Sequence, residues 1–79
     1  MLKTNELDRL IKYSETNLAS HGVQVARVDG ALKLSWKIAR NQPSMETICT
    51  ALRKIISGLK AGISIDAASN NVILILDRP

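Results

Sequence analysis

The chain holds one histidine, His21, and one cysteine, Cys49, the side chains from which catalytic sites are most often built. Nucleophilic catalysis needs a nucleophile beside a base that a third group orients. His21 directly precedes Gly22, a pair typical of a helix end, so we interpret it as a surface residue. Cys49 lies on the apolar stripe of a predicted helix, so we interpret it as a small buried hydrophobic residue. The sequence therefore predicts no catalytic residue.

The sequence also lacks the residues from which metal and phosphate sites are usually built. With one cysteine and one histidine, a zinc site would need several carboxylates close together. The seven acidic residues are instead scattered over predicted helix surfaces, turns and the chain end, and the four glycines have no phosphate-loop spacing. We therefore expect no enzyme activity, no metal and no cofactor.

Length and composition limit the fold to one small domain. The 79 residues, 46% hydrophobic and 23% charged, are typical of a globular chain. The longest apolar run, residues 72–76, is too short to span a bilayer, and the first residues lack the apolar region of a signal peptide. We expect a single domain over residues 1–79, located in the cytoplasm.

The net charge of +4 is concentrated in the middle of the chain. Residues 30–60 carry one acidic side chain against six basic ones, namely Lys33, Lys37, Arg40, Arg53, Lys54 and Lys60. Such a patch attracts nucleic acid and acidic protein surfaces alike. Arg40, Arg53, Lys54 and Lys60 are therefore candidates for contacts with phosphates or acidic protein side chains. The chain has only two aromatic residues, Trp36 and Tyr13, so base-stacking platforms are scarce.

The first half of the chain predicts a helix followed by a β-hairpin. Apolar residues recur at three- and four-residue intervals between Thr4 and His21, which is typical of an amphipathic helix. Thr4 or Asn5 is expected to cap this helix and Gly22 to end it. From residue 23 to residue 39, apolar and polar residues alternate around Asp29-Gly30, the strongest two-residue hairpin signal.

The second half repeats this order. Ser44 is expected to cap a helix that Gly62 ends, and residues 69–71 predict a turn between strands 63–68 and 71–77. When the sequence is aligned with itself at an offset of 40 residues, Trp36 aligns with Leu76, and the other residues of the two hairpins align in the same way. The chain thus divides into halves of about 4–39 and 44–78, and shared turn chemistry explains the match as well as duplication does.

Each hairpin has an apolar face that one helix cannot cover, so the compact arrangement joins the hairpins edge to edge beneath both helices. We predict an α+β two-layer sandwich with αββαββ order, in which a four-stranded antiparallel sheet carries two helices on one face. The predicted strand order, 63–68, 71–77, 31–39, 23–28, resembles a permuted ferredoxin-like topology. That resemblance implies no function.

Strand 71–77 is apolar on both sides, although the helices cover only one. With positions 72, 74 and 76 facing the helices, Ile73 and Ile75 turn to the other face beside Lys33, Ser35 and Lys37. The two isoleucines would expose on the order of 200–300 Å², whose burial at about 25 cal/mol per Å² is worth several kcal/mol. A second copy, a partner protein or an apolar ligand would cover them. Alternatively, the lysine stems fold over the isoleucines and no partner is needed.

We therefore expect a small non-catalytic binding protein that acts through protein–protein contacts of its open sheet face. The predicted contact residues are Ile73, Ile75, Lys33, Ser35 and Lys37. The chain would form a homodimer or dock on a larger partner as an inhibitor, adaptor or accessory protein. The alternative is a basic regulator that binds nucleic acid through Lys33, Lys37, Arg40, Arg53 and Lys54. A small-molecule pocket would require a cavity that a core of this size scarcely allows.

Overall fold

The computed structural model describes residues 1–38 and 44–78 and has the predicted helix–hairpin–helix–hairpin order. Its elements are α1 (Thr4–Asn17), a 3₁₀ turn (Ala19–His21), β1 (Gln24–Val28), β2 (Ala31–Lys37), α2 (Met45–Ile55), β3 (Lys60–Asp66) and β4 (Asn71–Asp77). The prediction of a small α+β sandwich is confirmed. Residues 39–43 in the connection between β2 and α2, which include the candidate contact residue Arg40, lie outside the described residues.

The four strands form one antiparallel sheet in the order β1-β2-β4-β3. The central strands are β2 and β4, where Leu32 lies opposite Leu76 and Leu34 opposite Leu74. β1 and β3 form the two edges. The likeness to a permuted ferredoxin-like topology stays a prediction.

The core lies between the sheet and the two helices. Because alternate residues of a strand share a face, β2 and β4 each turn one apolar set toward the helices. That set is buried in one cluster with residues of both helices, which therefore lie on the same side of the sheet; the cluster includes Leu7, Leu10, Leu32, Leu34, Trp36, Ile48, Cys49, Leu52, Leu74 and Leu76. The predicted burial of Cys49 is confirmed, and Trp36 is buried as well. Tyr13 is half-buried at the edge of the cluster.

The first half of the chain differs from the prediction at the start of its helix. The N-cap residue is Lys3 rather than Thr4 or Asn5, and its backbone N–H donates to Glu6 Oε1 at 3.1 Å, so the Glu6 carboxylate binds the backbone at the start of the helix. The predicted hairpin turn is confirmed, because Asp29 and Gly30 both have the positive φ angles of a type I′ turn, 50° and 78°.

The first helix ends earlier than predicted, at Asn17, and Gly22 instead ends the 3₁₀ turn that follows, with φ 81°. In the second half, the predicted cap is confirmed: Ser44 Oγ accepts a hydrogen bond of 3.1 Å from the backbone N–H of Thr47. The prediction that Gly62 ends the second helix is wrong. Helix α2 ends at Ile55, and Gly58 takes the left-handed conformation with φ 77°.

Gly62 therefore lies inside β3, which begins at Lys60 rather than at residue 63. The apolar stripe that predicted a longer helix continues in the connection, where Ile56 and Leu59 are buried although the helix has ended. The strand also ends earlier than residue 68, because the Asp66 carboxylate accepts a hydrogen bond of 3.1 Å from the backbone N–H of Ala68 and starts the turn.

An ion pair joins the beginning of α1 to the end of β4. Arg78 Nε donates to Glu6 Oε1 at 2.9 Å, and a second guanidinium nitrogen donates to Glu6 Oε2. These hydrogen bonds, and then the backbone N–H of Lys3, lower the pKa of the Glu6 carboxyl from 4.5 to about 2. The Glu6 carboxylate is buried, and both its oxygens accept hydrogen bonds. In its ionised form it therefore stabilises the contact between α1 and the chain that follows β4.

Candidate protein-binding surface

The sheet face that points away from the helices, which we call the open face, holds all five predicted contact residues. The register of β2 with β4 sets Ile75 opposite Lys33 and Ile73 opposite Ser35. Lys37 follows on the same side of β2, opposite Asn71. Strict alternation along two paired strands is enough to bring these side chains together.

Ile73 and Ile75 do not belong to the hydrophobic core. Both side chains are half-buried by their position on a central strand, and both lie outside the core cluster. Lys33 is half-buried as well, as expected when a lysine stem lies along apolar surface, whereas Lys37 is exposed. The open face thus has an apolar centre, but its two half-buried isoleucines leave less apolar surface exposed than the sequence analysis predicted.

The neighbouring strand β3 leaves one flank of this apolar centre open. Gly62 lies opposite Ile75 and Ser64 opposite Ile73, so one position has no side chain and the other a short one. A Cβ atom built on Gly62 would meet only the Ile75 carbonyl oxygen, at 4.0 Å. Here the surface forms a shallow trough lined by Lys60, Ala61, Gly62, Ile75, Asp77 and Arg78.

Val28 extends the apolar part of the open face toward β1, which the sequence analysis did not predict. It lies opposite Ala31 and is 39% exposed. The signal was present in the sequence, because Val28 is out of phase with Val23 and Val25, which alternate toward the helices.

A second exposed apolar pair, Ile63 and Ile65, was also missed. Their register partners Leu74 and Val72 face the helices, so both isoleucines lie on the helix side of β3. They are nevertheless 53% and 64% exposed, because the helices bury the central strands and leave this edge uncovered. Alternation along a strand does not show whether the layer above extends to the sheet edge.

The candidate phosphate-binding residues do not form one surface. Lys60 lies opposite Asp77 on the open face, whereas Arg53 and Lys54 belong to α2 in the opposite layer. Arg53 Nε donates to the Leu59 carbonyl oxygen at 3.2 Å, so this side chain binds the connection that leads from α2 into β3. The described basic residues are thus divided between the two sides of the sandwich.

The two residues considered for catalysis differ in their surroundings. His21 is exposed in the 3₁₀ turn, and Cys49 lies on α2 with its side chain buried in the core. Over residues 1–38 and 44–78, no three histidine, cysteine or acidic side chains gather as a metal site would require. In the same ranges no helix is long and apolar enough to cross a bilayer.

No protein-family model, curated protein or solved structure matches this chain. The surface with the clearest chemical character is the open face, where apolar side chains are bordered by lysines.

Proposed function

We propose that this chain is a small non-catalytic binding protein whose open face contacts another protein. The occupant is a larger partner, on which the chain docks as an inhibitor or adaptor, or a second copy. The observation that carries the proposal is the position of Ile73 and Ile75, on the helix-free side of a central strand and outside the core. A lone domain has no need of isoleucine there, since polar β-formers such as threonine suit a solvated sheet face.

The chemistry around the isoleucines supports a protein partner of particular character. Lys33 and Lys37 border them on β2, and Lys60 stands on the same face of β3. Interfaces commonly combine an apolar centre with a polar rim. The matching surface would therefore present apolar side chains flanked by carboxylates.

Nucleic-acid binding has less support. A phosphate track needs several cations on one side of the protein, and Arg53 and Lys54 lie in the helix layer, away from Lys33 and Lys37. Trp36, the larger of the two aromatic residues, is buried in the core and is not available to stack on a base.

Two matched double variants separate the open face from the rest of the sheet. Ile73→Thr combined with Ile75→Thr changes the open face, and Ile63→Thr combined with Ile65→Thr makes the same chemical change on the helix side. All four substitutions keep a β-branched side chain, so strand propensity is preserved. The wild-type chain and both variants are used as bait in extract of the native host, after circular dichroism has verified their folding.

We expect a protein that is captured by the wild-type chain and by the Ile63/Ile65 variant but not by the Ile73/Ile75 variant. If a second copy occupies the open face, the Ile73/Ile75 variant instead has a lower mass in solution than the wild-type chain. Identical captures by all three baits, with an unchanged mass in solution, would contradict the proposal.

A further inference from the structure

The outer edge of β3 is a second surface, separate from the open face. β3 is the last strand of the sheet, and within residues 1–38 and 44–78 no strand pairs with its outer edge. Such an edge presents backbone N–H and C=O groups with which another chain can pair. Charged residues inside a strand discourage this pairing. In β3 the charged residues, Lys60 and Asp66, stand only at the two ends.

The opposite edge of the sheet is better protected. β1 has five residues against the seven of β3, and it carries a charge in its interior, Arg27. The Arg27 guanidinium donates to the Asp8 carboxylate of α1, so a helix and an ion pair stand beside this strand. Of the two edges, β3 is therefore the one suited to pairing.

We propose that two copies of the chain pair antiparallel along β3, about a two-fold axis that passes between their Ile63 residues. In this register Lys60 of each copy lies opposite Asp66 of the other, and Ala61 lies opposite Ile65. A two-fold interface must be complementary to itself, and here both ends bring unlike charges together. Shifting the register in either direction separates Lys60 from Asp66.

The same register covers the exposed isoleucines of the helix side. Ile63, 53% exposed, gains Ile63 of the second copy as its direct neighbour, and Ile65, 64% exposed, gains Ala61. Direct neighbours across an antiparallel pair approach to about 5 Å between Cβ atoms. The apolar contacts matter because exposed ion pairs alone contribute little to association.

Pairing along β3 would also determine how the two open faces are arranged. The two-fold axis of an antiparallel pair centred on opposite residues runs perpendicular to the sheet, so side chains keep their face. The dimer would be one eight-stranded sheet with all helices on one side and both open faces on the other. This inference does not depend on the occupant of the open face.

Charge exchange tests the register directly. Lys60→Glu sets a glutamate opposite Asp66 at both ends of the dimer, and Asp66→Lys sets two lysines together in the same places. Each variant alone should dimerise at least about tenfold more weakly than the wild-type chain, because two attractive pairs become repulsive. An equimolar mixture should regain dimers, since the heterodimer again pairs unlike charges at both ends. Sedimentation equilibrium gives the dimer dissociation constant of the wild-type chain, of each variant and of the mixture.

Asp66→Lys also removes the hydrogen bond to Ala68 in the turn, so a further variant that leaves the turn intact is needed. Ile63→Lys is this variant. It sets two lysines together at the two-fold axis on an exposed position, and it should give a folded monomer. A wild-type chain that stays monomeric up to about 1 mM would overturn the inference. Dimers that persist in all three single variants, or that dissociate only in the Ile73/Ile75 variant, would also overturn it; the latter result would place the second copy on the open face.

Discussion

Ile75 lies directly opposite Gly62 in the register of β4 with β3. A large aliphatic side chain thus stands beside a residue without a side chain, on the face that no helix covers. On its other side is Lys33, whose half-buried stem lies along the same surface. Strand β4 thus carries two sets of apolar residues, one that lies in the core and one that lies outside it.

The two faces of β4 should respond differently to substitution. Leu74 is completely buried in the core, so Leu74→Ala should lower the free energy of unfolding by about 2–5 kcal/mol. Ile73 is half-buried and outside the core, so Ile73→Thr should lower it by only about 1 kcal/mol. Urea unfolding followed by circular dichroism measures both. Equal losses would mean that Ile73 is a core residue.

Substitution can show which glycine after α2 needs its left-handed conformation. Gly58 has φ 77°, so Gly58→Ala should lower the free energy of unfolding by about 1–2 kcal/mol. Gly62 lies in β3, where a Cβ atom would meet nothing closer than 4.0 Å, so Gly62→Ala should change it by about 0.5 kcal/mol or less. Thermal or urea unfolding distinguishes the two. A larger loss for Gly62→Ala would restore Gly62 as the end of the helix.

Stability should decline in acid because of Glu6. Above its ordinary pKa of 4.5, the Glu6 carboxyl is ionised in both the folded and the unfolded chain, and the ion pair with Arg78 contributes fully. As the pH falls toward 2, the unfolded chain takes up a proton that the folded chain does not, so the free energy of unfolding decreases.

The measurement is the urea midpoint between pH 5 and pH 2 for the wild-type chain, Glu6→Gln and Arg78→Gln. Both variants should show a weaker dependence on pH in this window, since one lacks the carboxyl and the other its main partner. Some dependence should remain, because hydrogen bonds also lower the pKa of Asp66 and Asp77. An unaltered slope in Glu6→Gln would show that Glu6 is not the group responsible.

The division of the basic residues between two faces predicts weak interaction with nucleic acid. Fluorescence anisotropy should detect no saturable binding to duplex DNA or single-stranded RNA at about 50 mM salt. Tight binding that weakens steeply with salt and is reduced by both Lys33→Glu and Arg53→Glu would support the alternative function instead.

Sequence periodicity predicted those parts of the fold that depend on local chemistry. Asp29-Gly30 formed the turn that its residue types favour, and alternation placed Ile73 and Ile75 on the helix-free face. The position of the helix end was less predictable. Gly58 lies within the apolar pattern and Gly62 after it, and the burial of Ile56 and Leu59 continues the helical pattern after the helix has stopped.

Relationships between distant parts of the chain were not predictable in the same way. The cap of α1 is held by Glu6, whose main partner, Arg78, is 72 residues away. The exposure of Ile63 and Ile65 depends on how far the helices extend over the sheet, which no pattern within β3 records. The placement of five residues on the open face could therefore be predicted, but the exposure of Ile63 and Ile65 on β3 could not.

The affinity of the open face for its occupant depends on Ile73 and Ile75 if these residues form the contact. The dissociation constant of the captured protein is measured by titration calorimetry with the wild-type chain and with both double variants. We expect the combined Ile73→Thr and Ile75→Thr substitutions to raise this constant at least about tenfold, and those at Ile63 and Ile65 to change it by about twofold or less. Equal dissociation constants for the wild-type chain and the Ile73/Ile75 variant would contradict this expectation.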